Sequence, residues 1–512
     1  MTPLAGNIGA TIGAVMEALA LRQGDATWAI GPEPGLTLTY RDLASQTRRL
    51  AAFFDAKGIA RGDTVAFFLH NGCQTAALFL GVMATGRTVA PLNLLSQRSQ
   101  LAAVLDHCRP RLVISCSEQV PQLDAAMQDL ADPPEVVVID VDAPFAFPEP
   151  LRSTQFDLKA GPSDVALLMY TSGTTGMPKG VMLSHANLLA GARAVAGWHG
   201  LTMADRVLSS LPIYHINGQV IGTLAPFVSG GSIVAPHRFS ASAWWGLVER
   251  YRCTWLNMVP TIIAYLLNAS GEEKKSQPNV RFGRSASAPL PADQCRAFEE
   301  RFGIPVIEGM GMTECASTVF CNPHDARRYG SPGLPCGVEA KVIGPDGRTL
   351  DTGQTGELAL RGPNVMIGYL DDPVRTAEAI DAEGWLRTGD LGYRDVDGYY
   401  YVTGRLKELI IKGGENIAPR EIDEALLRHP DVLEAAAFAI PHASYGQDIA
   451  VAVIAKPGAG IDAVALREWA TSELGKYKTP AKIYVVDDLP KGPSGKVQRL
   501  KLVELLCEPG AR

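Results

Sequence analysis

Short apolar runs that alternate with amphipathic stretches are the feature that most restricts the fold of this chain. The runs RLVIS, EVVVI and VALLMYT have the length of buried strands and are bounded by turn residues. TYRDLASQTRRLAAFFDAKG and CQTAALFLGVMATG repeat apolar residues at helical spacing and close on Gly58 and Gly86. Because strands that alternate with helices form parallel sheets covered by helices, we predict an α/β fold from residue 8 to about 325.

The pattern changes in the remaining part of the chain, whose 512 residues are too many for one ordinary core. From about residue 330 to 404, turn signals such as PDG and repeated Thr-Gly steps recur at short intervals and predict a small β-barrel or β-domain. From Glu408 onward, helical and strand patterns mix again over a length that suffices for a small α+β domain.

Charge and cysteine content exclude several classes of protein. The net charge of −7 argues against nucleic acid as the main partner, because phosphate binding requires a basic face. The nine cysteines include no C-x-x-C and are predicted to be reduced thiols. The N-terminal apolar stretch has no basic region before it and contains Glu17, so we expect a helix and neither a signal peptide nor a membrane span. A cytoplasmic location is expected.

A cluster of small residues follows the strand VALLMYT and raises a functional question. Thr171 to Gly176 have small side chains or none, and Lys179 follows three residues later. Such a loop lets backbone N–H groups approach an anion closely, while the lysine adds a positive charge. The lysine precedes Gly180 and an apparent strand, so the pattern is not a Walker loop. Composition alone would favour a surface linker.

The order of the residues decides between these two readings. YTSGTTGMPKGV resembles the signature of the adenylate-forming superfamily, which includes acyl- and aryl-CoA synthetases, luciferases and peptide-synthetase adenylation domains. Further motifs of the family follow in its usual order and extend the resemblance over essentially the whole chain: LPIYHINGQ, SASAPLP, GMGMTE, GELALRGPNVMIGYL, GWLRTGDLGY, GRLKELIIKGGENIAPREIDE and PKGPSGKVQR. The resemblance implies that ATP and Mg²⁺ are used to join a carboxylic acid to AMP, with release of pyrophosphate.

The resemblance also assigns roles in binding ATP. Glu314 would ligate Mg²⁺, a hard cation that prefers oxygen ligands, and Thr313 would bond the α-phosphate. Asp390 would accept the ribose hydroxyls, with Arg405 close by. Met310 stands where the family usually has an aromatic residue on the adenine, and its thioether can still pack on a ring. The other residues implied in nucleotide binding are Thr171, Ser172, Gly173, Thr174, Thr175, Gly176, Lys179, Ser287, Ala288, Pro289 and Gly311.

A change of domain orientation is implied as well. The family resemblance divides the chain into an N-terminal domain at 1–404, a hinge at 405–407 and a mobile C-terminal domain at 408–512. Lys407 would be the hinge residue. Lys496 would stabilise the transferring phosphoryl group and then withdraw, so that Gly413 and Gly414 could border a tunnel for the pantetheine arm of coenzyme A.

The acid pocket is predicted with less detail. His215 would lie between the acyl site and the thiol entrance. The other expected wall residues mix polar and apolar types, which favours a short or medium acid: Asn217, Trp255, Met258, Arg284, Ala286, Met310, Cys315 and Ser317. The chain resembles the branch of short-acid ligases that contains oxalyl-CoA synthetases. Those enzymes carry a histidine where this chain has Ser317, so the acid itself is not identified.

Two other functions remain open at this point. A stand-alone adenylating enzyme would pass the adenylate to a carrier-protein pantetheine, or to an amine or nitrite-derived nucleophile. A degenerate nucleotide-binding scaffold would require the loss of catalytic residues, yet they are all present. We therefore expect an AMP-forming acid–CoA ligase whose partners are a small acid, ATP and coenzyme A. Its oligomeric state is left open between monomer and homodimer.

Overall fold

The computed structural model describes residues 9–145, 160–171, 179–269, 277–491 and 497–507. Contacts within the chain divide it into two compact units. The first unit comprises Met1–Glu339 and Leu360–Leu386, and the second comprises Ala340–Ala359 and Arg387–Arg512.

The strands of the described residues are numbered here in chain order. They are β1 Thr27–Gly31, β2 Leu36–Thr39, β3 Thr64–Phe68, β4 Thr88–Pro91, β5 Leu112–Ser115, β6 Glu135–Val138, β7 Val165–Thr171, β8 Lys179–Ser184, β9 Arg206–Ser209, β10 Ser232–Val234, β11 Trp255–Met258, β12 Phe282–Ser285, β13 Val306–Met312, β14 Ser317–Cys321, β15 Leu334–Pro335, β16 Glu339–Ile343, β17 Gly356–Arg361, β18 Gly368–Tyr369, β19 Leu386–Arg394, β20 Tyr400–Arg405, β21 Ile410–Lys412, β22 Glu415–Ile417, β23 Val432–His442, β24 Gly446–Ala455 and β25 Lys482–Val485.

The α-helices follow the same convention. They are α1 Ile12–Gln23, α2 Tyr40–Ala56, α3 Cys73–Ala84, α4 Arg98–Cys108, α5 Val120–Met127, α6 His185–Trp198, α7 Ala225–Ser229, α8 Ala241–Arg250, α9 Pro260–Asn268, α10 Ala292–Phe302, α11 Pro373–Ala379, α12 Pro419–Leu427, α13 Ala463–Lys478 and α14 Arg499–Cys507. A π-helix spans Asn217–Leu224, and short 3₁₀ turns span Thr313–Cys315 and Leu406–Glu408.

Two large sheets form the first unit, as far as its residues are described. The larger sheet has the strand order β15-β14-β13-β12-β11-β9-β10-β1-β2, and its strands from β13 to β1 pair in parallel. The second sheet has the order β18-β8-β7-β4-β3-β5-β6, in which β8 pairs antiparallel with β7 and with β18. The predicted parallel sheets are therefore confirmed.

Local sequence explains where the helices of this unit begin and end. The side chains of Thr39 and Asp42 form a capping box at the start of α2. The chain leaves this helix through Gly58, whose φ of 68° is a left-handed conformation that glycine adopts readily. Every residue of α3 is buried, and the helix packs against α1 and α2. Both helices predicted from apolar spacing are thus present.

The second unit contains two smaller sheets. The strands of the predicted β-rich segment form a four-stranded sheet in the order β16-β17-β19-β20. The other sheet has the order β22-β21-β24-β23, with β25 parallel to β24. Helices α12 and α13 cover one face and share a core with these strands, formed among others by Ile410, Ile422, Leu426, Val451 and Leu466.

The contact-based units do not coincide with the division at residue 404 that the family resemblance implies. Arg420 Nη1 in α12 donates a 2.6 Å hydrogen bond to the carbonyl oxygen of Val402 in β20. Strands that precede the expected hinge at 405–407 therefore group with residues that follow it. The boundaries at 404 and 408 remain a prediction about which parts move.

Two further expectations can be compared with the structure. Within the described ranges, no helix combines the length and the apolar character needed to cross a lipid bilayer. All nine cysteines are free thiols, and eight of them are buried.

Candidate active site

The two ends of the predicted phosphate loop are held together by antiparallel strands. β7 ends at Thr171 and β8 begins at Lys179, and these two residues are direct partners in the ladder. Because Lys179 opens a strand, the loop differs from a Walker loop, as the sequence predicts. The remaining residues assigned to phosphate binding lie outside the described residues: Ser172, Gly173, Thr174, Thr175 and Gly176.

A tyrosine connects this lysine with the predicted metal ligand. The Tyr369 hydroxyl donates to Glu314 Oε1 at 3.1 Å, and Lys179 Nζ lies 5.1 Å from the centroid of the Tyr369 ring. Burial raises the pKa of Tyr369 well above its ordinary value, and the Glu314 carboxylate adds to this effect. The tyrosine therefore remains a proton donor at neutral pH. Residues from three distant segments thus meet at Lys179, where the described part of the chain resumes.

The strand that leads to Glu314 has no room for side chains at its glycines. A Cβ atom at Gly311 would lie 2.1 Å from the carbonyl oxygen of Ser317, and one at Gly309 would lie 3.0 Å from that of Phe320. The chain then turns back through Ala316 and Ser317, which both have positive φ angles, 45° and 89°. Non-glycine residues in this conformation store strain, which tends to be retained at functional sites.

Thr313 and Met310 lie on this same segment. Thr313 is buried and begins the 3₁₀ turn that contains Glu314, and the Glu314 carbonyl oxygen accepts from the Met366 N–H at 2.8 Å. Met310 lies opposite Phe320 in the ladder and is half-buried. The segment between β13 and β14 therefore presents the predicted α-phosphate and metal-binding residues consecutively.

A network of amides and hydroxyls lies at the end of β12. Asn217 Nδ2 donates to Ser287 Oγ at 3.0 Å, and Asn257 Nδ2 donates to Asn217 Oδ1 at 3.0 Å and to Ser209 Oγ at 3.2 Å. Ser287 has a φ of 75°, while the adjacent Ala288 is half-buried. The π-helix is thus joined to the strand end that is predicted to pack along adenine, Ser287 to Pro289.

Several predicted wall residues of the acid pocket are buried. Asn217, Arg284, Ala286, Cys315 and Ser317 are each at most 5% exposed. Asn257 and Arg284 are partners in the parallel pairing of β11 with β12, so their side chains leave the sheet on the same face. The structure therefore places two polar members of the predicted set, Asn217 and Arg284, beside the same residue, Asn257.

Two other predicted wall residues belong to the protein core. Met258 follows Asn257 in the strand and so faces the opposite side of the sheet, where it packs in the cluster that contains Trp245 and Phe298. Its assignment to the pocket is corrected accordingly. Trp255 shares the face of Asn257 but is fully buried, with its ring 5.6 Å from that of Phe282.

His215 lies just before the π-helix and is half-buried. Its N–H donates to the carbonyl oxygen of Pro212 at 3.0 Å, and its own carbonyl oxygen accepts from the N–H of Gln219 at 3.0 Å. The backbone therefore fixes this histidine at the start of the helix that supplies Asn217. Its role beside the thiol entrance remains a prediction.

The second unit holds the predicted ribose-binding residues as a pair. Asp390 in β19 lies directly opposite Arg405 in β20, and Arg405 Nε donates to Asp390 Oδ1 at 2.7 Å. Glu357 supports the part of β19 that precedes Asp390, because its Oε1 accepts from the Gly389 N–H at 3.0 Å and its Oε2 accepts from Arg387. Asp390 is only 3% exposed. The carboxylate is thus held in a defined orientation.

The glycines expected near the pantetheine arm form the turn between β21 and β22. Gly413 and Gly414 have φ angles of 56° and 88°, which residues with a side chain rarely adopt. The space beside Gly414 is open, whereas a Cβ atom at Gly413 would lie 3.2 Å from the Tyr477 hydroxyl. Lys412, which precedes them, forms a buried 2.7 Å ion pair with Asp448. The turn itself requires these glycines, and their contact with coenzyme A remains a prediction.

An arginine that sequence reasoning missed, Arg499, is paired with the residue that follows the predicted hinge. Lys407 lies exposed in the 3₁₀ turn Leu406–Glu408. Arg499, at the start of α14, lies 3.3 Å from Glu408 and 2.5 Å from the buried Asp423. Burial raises the pKa of Asp423 although Arg499 opposes the shift. Lys496 lies outside the described residues, but Val497, which follows it, pairs with Lys491.

Three supporting residues were not predicted: Tyr369, Glu357 and Arg499. Each lies inside a quoted motif but is remote in sequence from its partner. The available signal was a polar or charged side chain within an otherwise apolar segment, as for Glu357 in GELAL. Such a signal indicates a buried contact without naming the partner.

The described donor set suits the nucleotide and the metal that the motifs imply. Glu314 offers carboxylate oxygens, the ligands that Mg²⁺ prefers. Lys179 and the Thr171 hydroxyl stand at the two ends of a glycine-rich loop and suit the charge of a polyphosphate. The arrangement can therefore position a metal-bound triphosphate and stabilise negative charge during transfer at phosphorus.

Comparison with known proteins agrees with this assignment. Residues 16–370 match the family described as AMP-binding enzyme, and residues 421–496 match the AMP-binding enzyme C-terminal domain. The chain is 51% identical to the sulfoacetate–CoA ligase of Cupriavidus necator, over 96% of this chain and 97% of that protein. It is 32% identical to the oxalate–CoA ligase of Arabidopsis thaliana, over 96% and 97% of the two proteins.

Solved structures give the same result for the fold. ATP-bound MatB from Rhodopseudomonas palustris superposes with a TM-score of 0.87 at 30% identity, over 96% of this chain and 98% of that one. The motif order, the strand arrangement around Glu314 and the extent of these matches agree with one another. The chain therefore belongs to the AMP-binding enzyme family, the adenylate-forming enzymes that its motifs resemble.

Proposed function

We propose that this AMP-forming acid–CoA ligase activates a short carboxylic acid that carries a second anionic group, as sulfoacetate does. The observation that carries the reaction is the contact of Tyr369 with both Lys179 and Glu314 beside the ends of the glycine-rich loop. A lysine, a metal-binding carboxylate and a loop of this composition at one place suit a reaction at the phosphates of ATP.

In the first half-reaction, a carboxylate oxygen of the acid attacks the α-phosphorus of ATP and pyrophosphate leaves. We assign Thr171 to Gly176 and Lys179 to the phosphates that leave, and Thr313 to the α-phosphate. Glu314 would hold Mg²⁺, which supplies positive charge against the phosphate oxygens. Tyr369 orients the Glu314 carboxylate through its 3.1 Å hydrogen bond. Lys496 is assigned to the transferring phosphoryl group.

The nucleoside and the thiol are assigned to further residues. Ser287, Ala288, Pro289, Met310 and Gly311 would border the adenine. Asp390 would accept the ribose hydroxyls, with Arg405 beside it, because one carboxylate has two oxygens for a vicinal diol. In the second half-reaction the thiol of coenzyme A attacks the acyl carbon and AMP leaves. Rotation at Lys407 would then bring Gly413 and Gly414 to the pantetheine arm.

The nature of the acid is inferred from the relatives and from the polarity of the buried network. The relative that is 51% identical acts on sulfoacetate, and another acts on oxalate, so both acids carry a second anion. Asn217, Asn257 and Ser209 are polar and at most 5% exposed, whereas a long acyl chain would require an apolar wall. A cytoplasmic location is proposed because the nine thiols are free.

The experiment measures pyrophosphate release and thioester formation with a panel of acids and free coenzyme A. We expect both products with sulfoacetate and a lower rate with acetate or a long-chain acid. Glu314→Gln should remove pyrophosphate release in a folded protein, because the amide binds Mg²⁺ more weakly than a carboxylate. Pyrophosphate without a thioester on free coenzyme A would instead identify a carrier protein or another nucleophile as the acceptor. Absence of both products with every acid would refute the proposal.

A further inference from the structure

Arg284 is a buried cation whose hydrogen-bonding groups are not all used. The side chain is 0% exposed, and its Nη2 donates to Thr318 Oγ1 at 2.8 Å. Its Nε and Nη1 atoms have no hydrogen-bond partner in the described part of the chain. A guanidinium carries five N–H donors, and each one buried without a partner costs free energy.

In the part of the chain that the structure describes, no carboxylate balances this cation. The groups that act on the Arg284 guanidinium are the thiol of Cys321, which is within hydrogen-bonding reach, and the thiol of Cys336. Burial raises the pKa of the Cys321 thiol to about 11 and raises that of Cys336 as well, so both are neutral near pH 7. A buried charge without a counterion is strongly unfavourable.

The other titratable neighbour of this arginine is also uncharged. Burial, followed by the positive charge of Arg284, lowers the pKa of His199 well below its ordinary value. His199 stacks on the Phe282 ring at 4.8 Å and lies 3.3 Å from His324 Nε2. The thiols and the histidine that lie near Arg284 are therefore uncharged at neutral pH. The positive charge of Arg284 remains available to bind an anion.

Arg284 lies on the same sheet face as residues that are connected to the predicted acid pocket. Its register partner on the same sheet face is Asn257, which belongs to the amide network with Asn217 and Ser287. Gly309 leaves room for the guanidinium, since a Cβ atom there would lie 3.1 Å from Arg284 Nη2. Thr318, one residue after the strained Ser317, completes the group.

We propose that Arg284 and Thr318 form the subsite that receives the second anionic group, a sulfonate or a carboxylate, of the acid substrate. The inference rests on the proposed function and names the residues that would select a dianionic acid. The guanidinium would donate to the anion through its unused N–H groups. The Thr318 hydroxyl, which accepts from Arg284, still has its own hydrogen to donate.

The test compares sulfoacetate with 3,3-dimethylbutanoate, in which a neutral tert-butyl group of similar shape replaces the sulfonate. Arg284→Met keeps much of the side-chain volume and removes the charge. The ratio of kcat/KM for sulfoacetate to kcat/KM for 3,3-dimethylbutanoate should fall by on the order of 10²–10³, the effect expected when one partner of a buried charge pair is removed. Arg281→Met removes a nearby arginine that pairs with Asp205 and should leave the ratio unchanged.

Loss of structure is separated from loss of recognition by two additional measurements. ATP binding and thermal unfolding of Arg284→Met report whether the protein is folded. If Arg284→Met is not folded, Thr318→Val replaces it in the test. The ratio of kcat/KM for sulfoacetate to kcat/KM for 3,3-dimethylbutanoate should then fall by a smaller factor than that expected for Arg284→Met.

A folded variant in which both acids lose activity equally would overturn the subsite, and so would a wild-type enzyme that does not prefer sulfoacetate to its neutral analogue. In either case thioester formation with other acids would leave the ligase function intact. Absence of any thioester would refute the proposed function itself.

Discussion

Replacing Tyr369 by phenylalanine isolates the contact on which the proposed metal site depends. The change removes the hydroxyl that donates to Glu314 but keeps the ring, whose centroid lies 5.1 Å from Lys179 Nζ. The carboxylate would then lose its orientation while the packing of β18 against β8 is preserved. We therefore expect weaker binding of Mg²⁺ in the presence of ATP, with little loss of folding stability.

The distance of this hydrogen bond sets the expected magnitude. Hydrogen bonds to charged groups contribute about 1.5–3 kcal/mol, and the best O–H···O bonds are shorter than the 3.1 Å observed here. The lower end of that range corresponds to about a tenfold increase in the Mg²⁺ concentration for half-maximal activity, within the range known for residues that orient metal ligands. Since burial keeps the pKa of Tyr369 far above 10, the effect should not change between about pH 6 and pH 9.

The assay is initial pyrophosphate release at saturating ATP and acid over a series of Mg²⁺ concentrations. Tyr400→Phe is the matched control, because that hydroxyl donates to the carbonyl oxygen of Ala340 and has no part in the predicted metal site. Its Mg²⁺ dependence should equal that of the wild type. An unchanged Mg²⁺ dependence in folded Tyr369→Phe would show that the tyrosine does not orient a metal-binding carboxylate.

Four further changes test the remaining assignments. Asp390→Ala should raise the KM for ATP more than that for the acid, and an unchanged KM for ATP would limit the role of Asp390 to its ion pair with Arg405. Lys496→Ala should lower the rate of adenylation by on the order of 10²–10³ while leaving thioester formation from a supplied acyl-adenylate nearly intact, and equal loss of both steps would contradict the assignment. Lys407→Pro should permit one turnover of pyrophosphate release and then stall, so a wild-type rate of thioester formation would exclude the rotation. Burial lowers the pKa of His185 to about 4, below its unfolded value of 6.5, so its contribution to stability is complete above pH 6.5 and is lost as the pH falls to about 4. This loss, about 3 kcal/mol, should appear in denaturant unfolding as a function of pH and should be absent in His185→Gln.

The sequence allowed the order of strands and helices to be predicted but left the faces of the central strands undecided. Trp255 to Met258 are all buried, because helices cover both sides of a parallel sheet. The alternation of polar and apolar residues that marks one face of an exposed strand is therefore missing. For this reason Asn257, which contacts Asn217, could not be distinguished from Met258, which lies in the core.

Contacts between residues that are distant in sequence could not be predicted either. Motifs identified the residues that we propose touch substrates, since their spacing carries the chemistry. The residues that orient them depend on pairs such as Tyr369 with Glu314, which no local periodicity links. The unbalanced charge of Arg284 was likewise invisible, because an arginine in a strand is recognised as unpaired only when its neighbours are known.

The ion pairs of Arg499 have a consequence for building chimaeric enzymes. Arg499 joins the residue after the expected hinge, Glu408, to Asp423 of α12 and to the helix that follows the Lys496 segment. In a chimaera with a crossover point between residues 408 and 499, Glu408, Asp423 and Arg499 would not all come from the same parent enzyme. Any parent that differs at one of them would leave a buried charge unmatched. Exchanging residues 408–499 as one block keeps all three together, and the crossover points belong outside it.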